Sequence, residues 1–190
     1  MELSQRILDA TIEEFNEKGM KFTMDDIAKR LGISKKTLYT VFKDKETLFL
    51  EMVDYCFDEI KQYKDQLLMD DDLDALTKLK QVMIALPEKL QGLDWRQIYL
   101  LREKYPGIYK VIEQKLENGW EPIEELYNQA RSEGKVRNLH FVVVKAIVES
   151  SIEHFIGNSM LIEQNITYQE SLGEMIDIVI DGISSKESKV

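Results

Sequence analysis

Cysteine occurs once in this chain, at Cys56, so no intrachain disulfide can form. The two histidines, His140 and His154, are too few for a nitrogen and sulfur metal cage, and no metal or cofactor is expected. Three prolines and nine glycines in 190 residues leave long stretches without a helix breaker. No apolar run approaches the ~20 residues that span a bilayer, and the opening Met1-Glu2-Leu3-Ser4-Gln5-Arg6 lacks the apolar stretch of a secretory leader. The common catalytic signatures are missing as well: the chain has no G-x-S-x-G, G-x-x-x-x-G-K, G-x-G-x-x-G or H-E-x-x-H, and no E-x-x-H pair of the kind that builds di-iron bundles. These absences favour a cytoplasmic helical protein that is not an enzyme and has no membrane partner. Cys56 reads as buried filler in a helix.

What the chain does have is charge, unevenly placed. The formal net charge is −10, but residues 1–50 hold nine cations and nine anions, so the remaining 140 residues carry the whole deficit. Within residues 29–45 six cations (Lys29, Arg30, Lys35, Lys36, Lys43, Lys45) face Asp44 alone. A local basic patch on an acidic body suits a specific nucleic-acid binder that avoids non-specific adsorption.

That patch coincides with two short amphipathic helices joined by a glycine. Thr23 and Asp26 form a capping box, Asp25 and Asp26 suit the positive end of a helix over Met24 to Leu31, and Lys29 and Arg30 suit its other end. Gly32 supplies the left-handed residue that ends it, and Ser34 caps a second helix over about Lys35 to Phe42. Lys35 and Lys36 then occupy the first turn of that helix, and Lys45 the first position of the next, where the dipole disfavours cations by up to ~1 kcal/mol each. A lone Lys-Lys is ordinarily a solvated pair. Here the cap, the glycine, the spacing and a second misplaced lysine together point to phosphate, which reverses the sign of the mismatch.

Ile7-Leu8-Asp9-Ala10, Phe15, Gly19, Thr23-Met24-Asp25-Asp26-Ile27-Ala28, Leu31-Gly32-Ile33-Ser34, Thr37-Leu38-Tyr39 and Phe42-Lys43-Asp44-Lys45-Glu46-Thr47-Leu48-Phe49 together resemble the TetR family of one-component transcriptional regulators. The likeness is dense over roughly the first 50 residues. Leu31, where that family often has alanine, and Lys35-Lys36, where it often has glycine before the threonine, leave the expected fold undisturbed. The resemblance implies a homodimer with an N-terminal DNA-binding unit and a variable helical domain that senses a small molecule. An all-α chain of about nine helices is expected, with a helix-turn-helix domain over 1–46 and a ligand-binding and dimerisation domain over 47–190. The helix over 35–42 is expected in the major groove. Lys36, Thr37 and Tyr39 are the candidates for base edges, and Thr23, Ser34, Lys35, Tyr39 and Lys45 for phosphates, with Thr40 on the same helix.

The pattern predicts helices over about Leu3 to Lys18, Lys45 to Leu67, Leu73 to Lys89, Asp94 to Tyr105, and Pro106 to Ser132 with a bend at Gly119 and Pro122. The helix starting at Phe141 is apolar nearly all round, and a final helix carries Leu172, Met175, Ile176, Val179, Ile180 and Ile183. One protomer buries only part of this surface, so Val144, Ile147, Val148, Ile152, Met175, Ile176, Val179 and Ile183 are candidates for a dimer interface. Most body aromatics are core, but Trp95, Tyr99, Trp120, Tyr127, His154 and Phe155 are candidate liners of an effector pocket beside the bend. The reading is a homodimeric repressor of a palindromic operator, released by a small molecule. The alternatives are the same DNA-binding role without an effector, and a helical enzyme or adaptor.

Overall fold

The computed structural model describes residues 2–185, and local side-chain caps fix where several of its helices begin. Helix α1 (Leu3–Lys18) ends at Gly19, and a 3-10 turn (Gly19–Lys21) leads to α2 (Met24–Leu31). Both halves of the Thr23–Asp26 capping box are present: Asp26 N–H donates to Thr23 Oγ1 at 3.2 Å, and Thr23 N–H donates to Asp26 Oδ2 at 2.8 Å. Gly32 sits at φ 65°, with its own N–H on Lys29 O (3.1 Å) and that of Ile33 on Ala28 O (3.0 Å), the paired bonds of a Schellman ending. Ser34 Oγ then accepts from Thr37 N–H at 3.0 Å and starts α3 (Lys35–Val41), and Asp44 Oδ1 accepts from Thr47 N–H at 2.7 Å and starts α4 (Lys45–Met69). The 25 residues of α4 make a rod of about 37 Å.

The body follows as α5 (Ala75–Met83), α6 (Glu88–Gln91), a 3-10 segment (Trp95–Leu100), α7 (Leu101–Lys104), α8 (Pro106–Glu117), α9 (Glu121–Ser132), α10 (Phe141–Gly157), α11 (Met160–Glu163) and α12 (Tyr168–Ile183). The fold is all-α, and no helix among the described residues is long and apolar enough to cross a membrane. One isolated bridge, Val136 to Ser184, ties the end of α12 to the loop before α10.

Several boundaries differ from the expectation. The acidic run Asp70-Asp71-Asp72, expected from its early carboxylates to open the helix before Lys89, stays outside any helix, because Asp74 takes the cap of α5 by accepting from Leu76 N–H at 3.0 Å. Helix α5 then stops at Met83, ahead of Pro87, which disfavours helical backbone in the residue before it. The stretch expected as one helix from Asp94 is a 3-10 segment passing into α7, and Asp94 provides no side-chain cap. The rod expected over 106–132 is two helices: Gly119 at φ 78° breaks the chain, and Pro122 lies in the first turn of α9, where a missing N–H costs nothing. Helix α12 begins four residues before Leu172, at a second capping box made by Thr167 and Glu170.

Two apolar cores organise the molecule. The first joins the head helices to the front of the body, running from Ile7, Phe15, Ile27, Leu38 and Phe49 through Leu90, Trp95, Leu101 and Ile112 to Ile156. The second, around Leu79, Val82, Tyr127, Val148 and Ile176, holds α5, α9, α10 and α12 together. The head is thus continuous in packing with part of the body, and Phe49 carries the seam: its ring lies 5.5 Å from Phe15, 5.8 Å from Phe22 and 6.3 Å from Tyr105.

Candidate functional site

Helix α3 buries Leu38 completely and Phe42, its C-cap, almost so, and turns the rest of itself outward. Lys35, Lys36, Tyr39 and Thr40 are exposed and Thr37 is half-buried, so the expected reading residues share one outer surface. Tyr39 is 48% exposed, unusual for a ring that could pack. The hydroxyls are held in place: Ser34 Oγ and Thr37 Oγ1 are 2.8 Å apart, and Thr40 Oγ1 donates to Thr37 O at 2.6 Å.

The cations of the head divide into engaged and free. Arg30 meets Glu13 (3.0 Å), Glu14 (2.7 Å) and Glu17 (2.6 Å), and Lys18 meets Glu14 (2.7 Å) and Asp26 (2.9 Å). Burial would raise the Glu14 carboxyl, but the hydrogen bonds from Lys18 and Arg30 hold it below the ordinary value. Asp25 bridges Lys29 (3.2 Å) and Lys35 (3.1 Å). Lys45 turns inward: its ammonium donates to Met20 O at 2.8 Å and to Phe22 O, and lies 3.8 Å from the Phe22 ring centroid. Burial, with Lys104 nearby, pushes it down to about 8. The mismatch at the start of α4 is therefore answered by two carbonyls inside the head, a local partner that the sequence did not reveal. Lys36, by contrast, is exposed and makes no ion pair or hydrogen bond among the described residues.

In the body, α4, α8, α10, α12 and the break before α9 surround a cavity of about 480 Å³. One stripe of α4 faces it, Phe57, Ile60, Lys61, Lys64, Asp65 and Leu68, at the three and four residue spacing of a helix face. Trp95 and Trp120 line it as expected. Their indole N–H groups donate to Leu90 O (3.3 Å) and Leu116 O (2.9 Å), so what they offer the cavity is apolar. The other expected liners lie elsewhere. Tyr127 is fully buried in the second core with its hydroxyl donating to Leu139 O (3.3 Å), His154 is exposed, and Tyr99 and Phe155 are half-buried away from this wall. Phe57, Lys64, Lys115, Glu149 and Tyr168 line it without having been singled out. The α4 stripe was the available signal for the first two. Among the described residues no three potential metal ligands cluster.

Of the expected interface residues, Val144, Val148, Met175, Ile176, Val179 and Ile183 are buried within the protomer, and Ile152 is half-buried on the cavity wall. Ile147 is 51% exposed, and Val142, Val143 and Ile178 stand out of the same two packed helices.

The family model for bacterial regulatory proteins of the tetR family matches residues 7–52, the span that carries this head. The head therefore carries the DNA-binding domain of that family. It is 26% identical over 185 residues to the HTH-type transcriptional regulator YvaF of Bacillus subtilis, covering 97% of each chain. IcaR of Staphylococcus aureus, a negative transcriptional regulator of the biofilm operon icaADBC, is 40% identical over 57 residues, covering 30% of this chain and 31% of IcaR. A TetR regulator from Haloarcula marismortui superposes with a TM-score of 0.72 at 15% identity, over 95% of this chain and 97% of its own. A TetR/AcrR regulator from Thermobifida fusca does so with a TM-score of 0.68 at 18% identity, over 94% and 97%. These two structures share the fold. Through this domain the chain is a DNA-binding protein of the transcriptional-regulator type.

Proposed function

We propose that the protein is a homodimeric repressor that leaves a near-palindromic operator when a small molecule fills the body cavity. Residues 1–46 act as the DNA-binding unit and 47–190 as the sensing and pairing unit. Helix α3 enters the major groove, with Lys36, Thr37 and Tyr39 toward base edges and Thr23, Ser34, Lys35 and Thr40 toward the backbone. Lys45 contributes by holding the head together. The apolar residues Val142, Val143, Ile147 and Ile178, exposed on α10 and α12, pair with the same face of a second copy as a four-helix bundle.

The observation that carries the release mechanism is a shared wall. Phe57, Trp95 and Ile112 line the cavity, and the same three side chains line a small gap against Phe15 and Phe49 of the head. A ligand that displaces them acts on the seam between body and head, tilts α4 and changes the separation of the two α3 helices in the dimer. Repression as the sign of regulation is supported by the likeness to IcaR over 57 residues.

The test is selection from random duplexes with the purified protein. A near-palindrome whose half-site centres lie about 34 to 36 Å apart, or a multiple of that, should emerge. Tyr39→Ala should relax its sequence preference at a cost of about 1 to 3 kcal/mol per half-site. Val143→Glu with Ile147→Glu should sediment as a monomer and lose operator affinity. Selection of no preferred sequence at ~50 mM salt, where electrostatic attraction is strong, would defeat the proposal.

A further inference from the structure

The wall of the body cavity contains one charge with nothing to balance it. Lys64 follows Ile60 by one turn on α4 and faces the cavity, yet it makes no ion pair or hydrogen bond among the described residues. Burial alone pushes its ammonium below the ordinary lysine value. The other charged groups on the wall are balanced or wet. Lys115 pairs with Asp54 at 2.7 Å and lies 5.6 Å from the Phe57 ring centroid. Glu149 has Lys145 at 3.9 Å, although its Oε1 is buried without a hydrogen-bond donor. Asp58, Lys61 and Asp65 are exposed. The remaining surface is apolar, with Trp95, Trp120, Leu86 and Ile152 among its contributors. Lys64 is half-buried, and an ammonium partly stripped of water in such a wall is unfavourable while unpaired and becomes favourable when an anion arrives with an apolar body to fill the space.

We propose that the cavity takes an apolar molecule bearing a single anionic group, a carboxylate or its equivalent, which seats on the Lys64 ammonium. The inference rests on the cavity being the effector site and adds the chemical class of the effector. An apolar cation seated on Glu149 is the opposite assignment. Lys64 is preferred because Glu149 already has a countercharge and Lys64 has none.

The chain has two tryptophans and both line the cavity, so intrinsic fluorescence reports occupancy directly. Decanoate, 1-decanol and decylammonium, each below its micellar concentration, are titrated into the full-length protein at pH 7. Decanoate should bind about ten- to a hundredfold more tightly than decanol, the range expected for a hydrogen bond to a charged group. Lys64→Met should bring decanoate down to the level of decanol and leave decanol unchanged or tighter, and Lys64→Gln repeats the test should the methionine variant fold poorly. Lys64→Arg should retain the preference. Decanol binding as tightly as decanoate, or decylammonium binding best with its advantage lost in Glu149→Gln, would overturn the anion assignment and leave the effector cavity standing. Fluorescence unmoved by all three probes would overturn both.

Discussion

Lys45 and Lys36 carry the same formal charge in the first turns of α4 and α3, yet their surroundings assign them opposite work. The Lys45 ammonium is committed to Met20 O and Phe22 O, while Lys36 stands in solvent on the outer surface of α3. Lys45→Met should therefore lower stability by about 1 to 3 kcal/mol, because two carbonyls lose their donor, and leave the salt dependence of DNA binding unchanged. Lys36→Ala should instead preserve the melting temperature and relax the sequence preference by about 1 to 3 kcal/mol per half-site, as loss of a base-edge contact does. The pH dependence separates them further. Burial holds Lys45 at about 8 in the folded protein, below its unfolded value near 10.5, so between those limits the unfolded chain binds more protons and stability rises with pH. The difference in melting temperature between wild type and Lys45→Met should accordingly widen from pH 8 to pH 10. A salt slope lowered by Lys45→Met would return that residue to the set of phosphate contacts.

Elements whose ends are fixed by adjacent side chains were legible in the sequence, and elements whose ends depend on packing were not. Thr23, Gly32, Ser34 and Asp44 each act on backbone within four residues, and both ends of α2 and the starts of α3 and α4 follow from them. In the body, Asp74 rather than the acidic run before it caps α5, and the capping box of α12 lies ahead of its apolar residues. The cavity was only partly legible. An aromatic residue can be core or liner with the same sequence pattern, as Tyr127 and Trp120 show, and a charged residue such as Lys64 gives no sign from sequence that tertiary packing will desolvate it. The break between α8 and α9 illustrates the same divide. Gly119 is visible in the sequence as a disturbance, but whether it bends a helix or ends one depends on its backbone, which takes φ 78° with open space where a side chain would sit. Gly119→Ala should thus cost about 1 to 2 kcal/mol from backbone strain alone, without a steric clash. It should also shift tryptophan emission, since Trp120 follows directly and lines the cavity. A melting temperature equal to that of the wild type would show that the left-handed turn is not retained.

Over the whole molecule, the proposed release requires that the head and the body move as coupled parts, and a small set of polar contacts spans their boundary. Lys89 of α6 pairs with Asp9 of α1 at 2.9 Å, lies 3.7 Å from Glu59 of α4, and sits 4.3 Å from the ring centroid of Tyr55, whose hydroxyl donates to Asp9 at 3.0 Å. Asn16 of α1 accepts from Asp94 N–H at 3.2 Å, directly before Trp95 of the cavity wall. These contacts surround the apolar seam and lie outside both the cavity lining and the exposed surface of α3. If they set how firmly α1 follows the body, weakening them changes the linkage between the two sites more than it changes either site. Lys89→Met combined with Asn16→Ala should leave operator affinity without ligand within about threefold of wild type. Ligand affinity without DNA should hold to the same limit. The factor by which ligand weakens DNA binding should shrink, from the ~5 to 150-fold typical of such coupling toward unity. Linkage is reciprocal, so DNA should weaken ligand binding by the same reduced factor in the variant. Full retention of the wild-type factor would mean that the apolar seam of Phe15, Phe49, Phe57 and Trp95 transmits the signal alone.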